Sequence, residues 1–158
     1  MAAVTSIRVS LVDVYVMRRM AARLECLVLR RAAGGRCPGS WETVHGHIEP
    51  GEQPADAAAR ELAEETGLMA ERLYNLSRVE SFYQHRIDEV ALVPVFVAIV
   101  PEDAEIRLGS EHDRFEWLEA DQADRRFAWP RERRALADIV AVLASGNAGA
   151  IDDVLRVC

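Results

Sequence analysis

Gly46 to Leu68 reads GHIEPGEQPADAAARELAEETGL, and its second half, Pro54 to Thr66, has the alanine content and apolar spacing of a helix. Pro54 suits a first helical position, Asp56 suits the positive first turn, and Gly67 supplies a left-handed stop. On a wheel of about 100° per residue with Glu61 at zero, Glu64 falls near −60° and Glu65 near +40°, so three carboxylates share one arc. Ala55, Ala58, Ala59 and Leu62 form a neighbouring arc that can be buried. Like charges at these spacings weaken a helix by ~0.2–0.5 kcal/mol per pair. A hard divalent cation, Mg²⁺ or Mn²⁺, removes that repulsion and also reaches substrate phosphates. The same glutamates fit an ordinary solvated face, with Arg60 pairing to Glu64; Arg60 itself reads either as a structural pair to Glu52 or Glu64 or as a phosphate contact in catalysis. Ahead of the helix, Gly46 to Glu52 reads as a turn-rich loop whose backbone can approach a phosphate or a metal closely.

Around this stretch the pattern is mostly β. Ile7 to Met17 alternates apolar with other residues, Leu24 to Leu29 is rich in strand formers, and Leu76 to Phe82, Glu89 to Val100 and Arg114 to Leu118 follow. Pro130 to Leu143 reads as a second helix, with Leu136, Ile139, Val140 and Leu143 in one stripe. Strands on both sides of one helix and a packing helix at the end predict an α/β fold, a mixed sheet layered between helices. With no repeat or long linker, residues 1–158 are expected to form one domain.

The chain carries 19 basic and 26 acidic residues, a net charge of −7, so a general electrostatic grip on a nucleic-acid polymer is not expected. Cys26, Cys37 and Cys158 are widely spaced and odd in number, which argues against a disulfide framework or a zinc site and for a reducing cytoplasm. Met1 to Met20 lacks a signal-peptide layout, and the uncharged run Val90 to Val100 would span only ~16 Å as a helix, so no membrane association is expected.

Gly46 to Leu68 matches G-x5-E-x7-R-E-U-x-E-E-x-G-U, with U a bulky aliphatic, at every defined position. On that box the chain resembles the Nudix hydrolases. The resemblance implies a Nudix fold, an α/β/α sandwich with a mixed sheet, and hydrolysis of a nucleoside diphosphate linked to another group. It implies that Glu64 and Glu65 bind Mg²⁺ or Mn²⁺, that Glu61 is a further ligand or the base, and that Glu52 and Arg60 brace loop against helix. A backbone carbonyl near His45 or Gly46 would be another ligand. Glu111 is similar in position to a distal glutamate that serves as ligand or general base.

Glu111 to Leu118, followed by the Trp129 helix, is similar to the end of dihydroneopterin triphosphate pyrophosphatases, also described as dATP pyrophosphohydrolases. The expected reaction is therefore cleavage of a nucleoside or pterin triphosphate to monophosphate and pyrophosphate. Tyr83, about 15 residues past the box where ADP-ribose hydrolases usually carry proline, is similar to diadenosine polyphosphate hydrolases. Those two activities, and a nucleotide-sensing module that does not cut, are the alternatives. Trp41, His47, Tyr83 and Arg86 are weaker candidates for substrate contact, and a structural role suits each as well. His45 and His112 read as structural or as phosphate contacts, Trp117 and Trp129 as packing, and Arg125–Arg126 and Arg131 to Arg134 as a solvated face or salt bridges. The strand at Ile7 to Met17 fits either a sheet edge or a homodimer contact.

Overall fold

The computed structural model describes residues 4–158; Met1 to Ala3, part of the segment read for a leader, lie outside the described residues. Eight strands, β1 (Ser6–Val9), β2 (Leu11–Met20), β3 (Arg23–Arg31), β4 (Trp41–Glu42), β5 (Val44–His47), β6 (Arg72–Gln84), β7 (Glu89–Ile99) and β8 (His112–Glu119), form one mixed sheet. The helices are α1 (Pro54–Thr66), α2 (Ala120–Arg126), α3 (Pro130–Leu143) and the short α4 (Asp152–Leu155). Among the described residues no helix is long and apolar enough to cross a membrane.

Alternation along β2 assigns the two faces. Val12, Val14 and Val16 pack with Phe96 and Ala98 against Ala57, Ala58 and Leu62 of α1. Tyr15 and Met17 point the other way, onto Ala135, Leu136, Ile139 and Leu143 of α3. Both helices occupy the spans that the sequence predicts. Pro54 sits at the start of α1 and Gly67, at φ 71°, ends it.

The strand expected over Ile7 to Met17 is two strands, broken at Ser10. Both pair in parallel with β7, but Val9 faces Leu92 while Asp13 faces Val95, so the first strand holds one residue more than its partner. The other long edge of β7 carries β6 in antiparallel register, with a shift between Asn75 and Val79 where Ser77 takes φ 55°. The N-terminal half of β2 pairs with β5 and its C-terminal end pairs with β3. The sheet therefore splays between β5 and the β3–β4–β8 group. Gly46 and His47, expected in a loop, belong to β5.

The N-terminus of α3 is stapled to this split. Arg131, expected on a solvated face or in a salt bridge, donates its Nε to the fully buried Asp13 at 3.0 Å. Thr43, between β4 and β5, donates its hydroxyl to the Val14 carbonyl at 2.6 Å and its N–H to Glu132 Oε2 at 2.6 Å. Glu132 has no exposed surface, and its Oε1 has no partner. Burial, reinforced by Asp13 and Glu42, pushes its carboxyl up to about 8. Because the folded value lies above the ordinary 4.5, the unfolded chain releases this proton first as pH rises. The carboxyl's contribution to stability is thus present below about pH 4.5 and is lost through about pH 8. Glu132→Gln keeps an acceptor for Thr43 and removes the ionisation. Its melting temperature relative to the wild type should rise from pH 5 to pH 8.5 in calorimetric scans; a pH-independent difference would reject the assignment.

Candidate active site

Helix α1 presents the box glutamates in three different environments. At about +40° on the wheel Glu65 falls inside the buried arc, between Ala58 near 60° and Ala57 near −40°. It is 4% exposed, whereas Glu64 points to solvent and Glu61 is intermediate. Ala59, expected to be buried with Ala58, is exposed, and Ala57 takes the inward place. The carboxylates that share an arc by angle are separated by what packs over that arc.

Arg60 is the brace of this end of the helix. It forks onto Glu52, Nε to Oε1 at 2.8 Å and Nη2 to Oε2 at 2.9 Å, and Nη2 also donates to the His47 carbonyl at 2.8 Å. Nη1 reaches Glu61 at 2.8 Å and Glu64 at 3.2 Å, although the wheel places Arg60 off the acid arc. Its long stem bridges that angle. Hydrogen bonds from Arg60 hold the Glu52 carboxyl down at about 2, and the same partners raise the arginine. Glu52 in turn accepts the Glu49 N–H at 2.9 Å, so the loop closes onto the helix through one guanidinium.

Gly46 has a steric reason to be glycine. A Cβ built there would collide with the Glu61 carboxyl group, so strand β5 and the acid lie in direct contact. Burial raises the Glu61 carboxyl, with Glu64 and Glu111 adding and Arg60 opposing. Glu65 goes further. Burial, then the charges of Glu111, Glu61 and Glu42, push it up to about 9 against the opposing His45 backbone N–H, and neither of its oxygens makes a well-formed hydrogen bond.

Glu111 comes from the loop before β8, which is fixed to the C-terminus of α1: Arg107 N–H and Gly109 N–H donate to the Thr66 and Glu65 carbonyls at 2.8 and 3.0 Å. Its carboxylate lies 3.9 Å from Arg31 and is 57% exposed. Next to it, His112 is buried rather than poised for a phosphate. Its Nε2 lies 3.1 Å from Glu42 Oε1, and Glu42 also accepts from Arg31 Nη1 at 2.9 Å. Burial alone would raise Glu42, but His112 and Arg31 together bring it below its ordinary value. Sequence reasoning did not single out Glu42. A charged residue in a short strand just before the box was the only signal for it.

The weaker candidates are not gathered with the acids. Trp41 packs on the core with the Arg126 guanidinium 4.7 Å from its ring centre. Tyr83 donates its hydroxyl to Asp88 at 2.9 Å, and Arg86 lies in the turn between β6 and β7. His47 is exposed and joins the site through its carbonyl. His45 faces the other side of the sheet, its Nδ1 2.5 Å from Asp13 Oδ1.

The donors fit a hard divalent cation. They are carboxylate oxygens, two of them buried and unpartnered on Glu65, with Glu61, Glu111 and Glu42 near enough to raise its pKa. Among the described residues no three acid, imidazole or thiol groups converge to form a complete cage. That suits an ion such as Mg²⁺, which is held by one or two carboxylates and completes its shell with water and phosphate.

The NUDIX domain model matches residues 8–139, and the chain belongs to that family. Similar proteins include an octanoyltransferase of Myxococcus xanthus, 41% identical over 104 residues that cover 61% of this chain and 27% of that protein. The asymmetrical bis(5'-nucleosyl)-tetraphosphatase of Rattus norvegicus is 36% identical over 85 residues, covering 52% of this chain and 58% of that one. The chain thus spans well under two thirds of the length of these relatives. Among solved structures, the E. coli dihydroneopterin triphosphate pyrophosphohydrolase superposes with a TM-score of 0.69 at 24% identity, over 87% of this chain and 98% of that one. That likeness is one of fold.

The contact between β5 and Glu61 is testable. Gly46→Ala should cost about 1–3 kcal/mol in urea unfolding, as overpacking does. Gly34→Ala, which meets nothing within 4 Å, serves as the neutral control. Equal stability of the two variants would show that Glu61 does not need this close approach.

Proposed function

We propose that the chain hydrolyses a phosphoanhydride bond of a nucleoside polyphosphate, splitting a nucleoside or pterin triphosphate into a monophosphate and pyrophosphate. The observation that carries this reading is the buried, unpartnered carboxylate of Glu65 within reach of Glu61, Glu111 and Glu42. Such a cluster has no value for stability and is suited to hold a cation against a polyphosphate.

Glu65 with Glu64, or with Glu61, and a carbonyl at His45 or Gly46 would hold Mg²⁺ or Mn²⁺ through two carboxylates, with water and phosphate completing the shell. When bound, the ion screens the phosphate charge and acidifies water. The remaining work belongs to the chain. Arg60 keeps the loop and Glu61 in place through Glu52 and His47, so the acids are preorganised before substrate arrives. Glu111, solvent-open and beside Arg31, accepts the proton of the attacking water, with Glu61 as the other acceptor within the cluster.

A second reading has its own support. Asymmetrical bis(5'-nucleosyl)-tetraphosphatases of rat, mouse and pig are 33–36% identical to this chain over 85 residues, which favours a dinucleoside polyphosphate as substrate. ADP-ribose hydrolysis and nucleotide sensing without cleavage rank below both.

A product panel with Mg²⁺, nucleoside triphosphates, dihydroneopterin triphosphate, diadenosine tetraphosphate and ADP-ribose decides among them. Monophosphate plus pyrophosphate from a triphosphate is the expected result. Triphosphate plus monophosphate from diadenosine tetraphosphate would establish the second reading, and tight binding without turnover the sensing one. In the same assay Glu65→Gln should lower turnover by about 100-fold or more. Glu111→Gln should lower it by ~10²–10⁴, the range for a general base. Full activity in a folded Glu65→Gln protein would overturn the proposal.

A further inference from the structure

His112 is placed between two acids that belong to different parts of the fold. It lies at the start of β8 and is 4% exposed, with Nε2 on Glu42 of β4 and Nδ1 3.6 Å from Glu65 Oε2 of α1. At that distance Nδ1 and Oε2 are not hydrogen-bonded, and neither makes another well-formed hydrogen bond, the His45 backbone N–H being the other donor near the Glu65 carboxyl. Two buried polar atoms thus face one another unsatisfied. Because Nε2–H donates to Glu42, Nδ1 is complementary to the Oε2 carboxylate when it too carries a proton, and the doubly protonated ring can then donate to both acids. On the far side the ring is fixed: Glu42 holds Nε2 and is itself held by Arg31, which is anchored to the Arg36 carbonyl at 2.5 Å.

We propose that His112, clamped by Glu42 and Arg31, is the positioning residue for Glu65: its Nδ1 takes Oε2 and leaves Oε1 directed to the cation. This rests on the reading of Glu65 as a cation ligand. The clamp explains why a charged residue, Glu42, is buried in a two-residue strand where an apolar side chain would cost less. It also links the distal loop to the helix, because the backbone that carries Glu111 also carries His112. The two acids on either side of the cleft are thereby set by one rigid ring.

Two substitutions of similar size separate positioning from packing. In His112→Asn the amide nitrogen falls near the place of Nδ1 and keeps the contact to Glu65. In His112→Gln it reaches the place of Nε2 and keeps only the contact to Glu42. Mn²⁺ affinity of the substrate-free protein, read by electron paramagnetic resonance, should stay within about 3-fold of wild type in His112→Asn and fall by about 10-fold or more in His112→Gln. Equal losses in two folded variants would overturn the positioning role and leave the cation site intact. Glu65→Gln is the control: if it binds Mn²⁺ as the wild type does, the cation reading falls, and the positioning role with it. Should either His112 variant fail to fold, the ring nitrogens of His112 in ¹⁵N-labelled wild type and Glu65→Ala decide the matter. A larger shift at Nδ1 than at Nε2 supports the proposal, and an indifferent Nδ1 overturns it.

Discussion

The Arg60 guanidinium donates at once to Glu52, Glu61, Glu64 and the His47 carbonyl, and the arrangement of the site depends on that convergence. A helix with three carboxylates over two turns is penalised by their repulsion, and its preceding loop has little apolar surface with which to dock. One rigid five-donor fork meets both difficulties. It neutralises Glu61 and Glu64 on the helix and, through Glu52, draws the loop down so that Gly46 can lie against Glu61. What it does not reach is Glu65. The brace therefore leaves one buried acid without a cationic partner.

Its buried place exists because the sheet does not run straight. The extra residue between β1 and β2 lies opposite the Val93–Pro94 region of β7; beyond it β2 follows β7 over Asp13–Met17 while changing partners from β5 to β3 on its other side. Proline has no N–H to give to a ladder, so the break falls where a hydrogen bond would be missing in any case. Beyond the change of partner, β4 and β5 diverge at Thr43. Glu42 then faces His112 and Glu65 while Gly46 faces Glu61. The Thr43 bonds to Val14 and Glu132 hold this fork open from behind, which makes the start of α3 a structural support for a cleft on the other face of the sheet.

The parts that the sequence discloses are those governed by neighbours in the chain. Both long helices occupy their expected spans because a proline start, a 3.6-residue apolar period and, for α1, a glycine stop are local properties. The box is equally local: Arg60 and Glu52 lie eight residues apart, and their pairing follows from a loop folding onto the next helix. Ser10 and Ser77 show where local reading fails. Alternation of apolar residues passes through a bulge without a mark, since the irregularity is set by the partner strand. Glu65 fails for the same reason at the level of burial. A wheel assigns it a direction, but the packing of β2 and β7 over α1 decides that this direction is inward.

Asp13, Glu42, His112 and Arg131 are further beyond local reading, because the contacts Asp13–His45, Glu42–His112 and Asp13–Arg131 span 32, 70 and 118 residues. A charge in the alternating run of β2 announces that something must meet it, yet nothing in that run says what. These long-range pairs also bear on how a chain of net charge −7 would hold a polyphosphate. Arg31 and Arg60, the guanidinium groups at the acid cluster, are each already bound to carboxylates. Releasing either to a phosphate would strand a half-buried acid and weaken the geometry that the other residues need. In the proposed function, positive charge for the substrate comes from an added cation, and the buried acid Glu65, which has no cationic partner, is where such a cation would gain most.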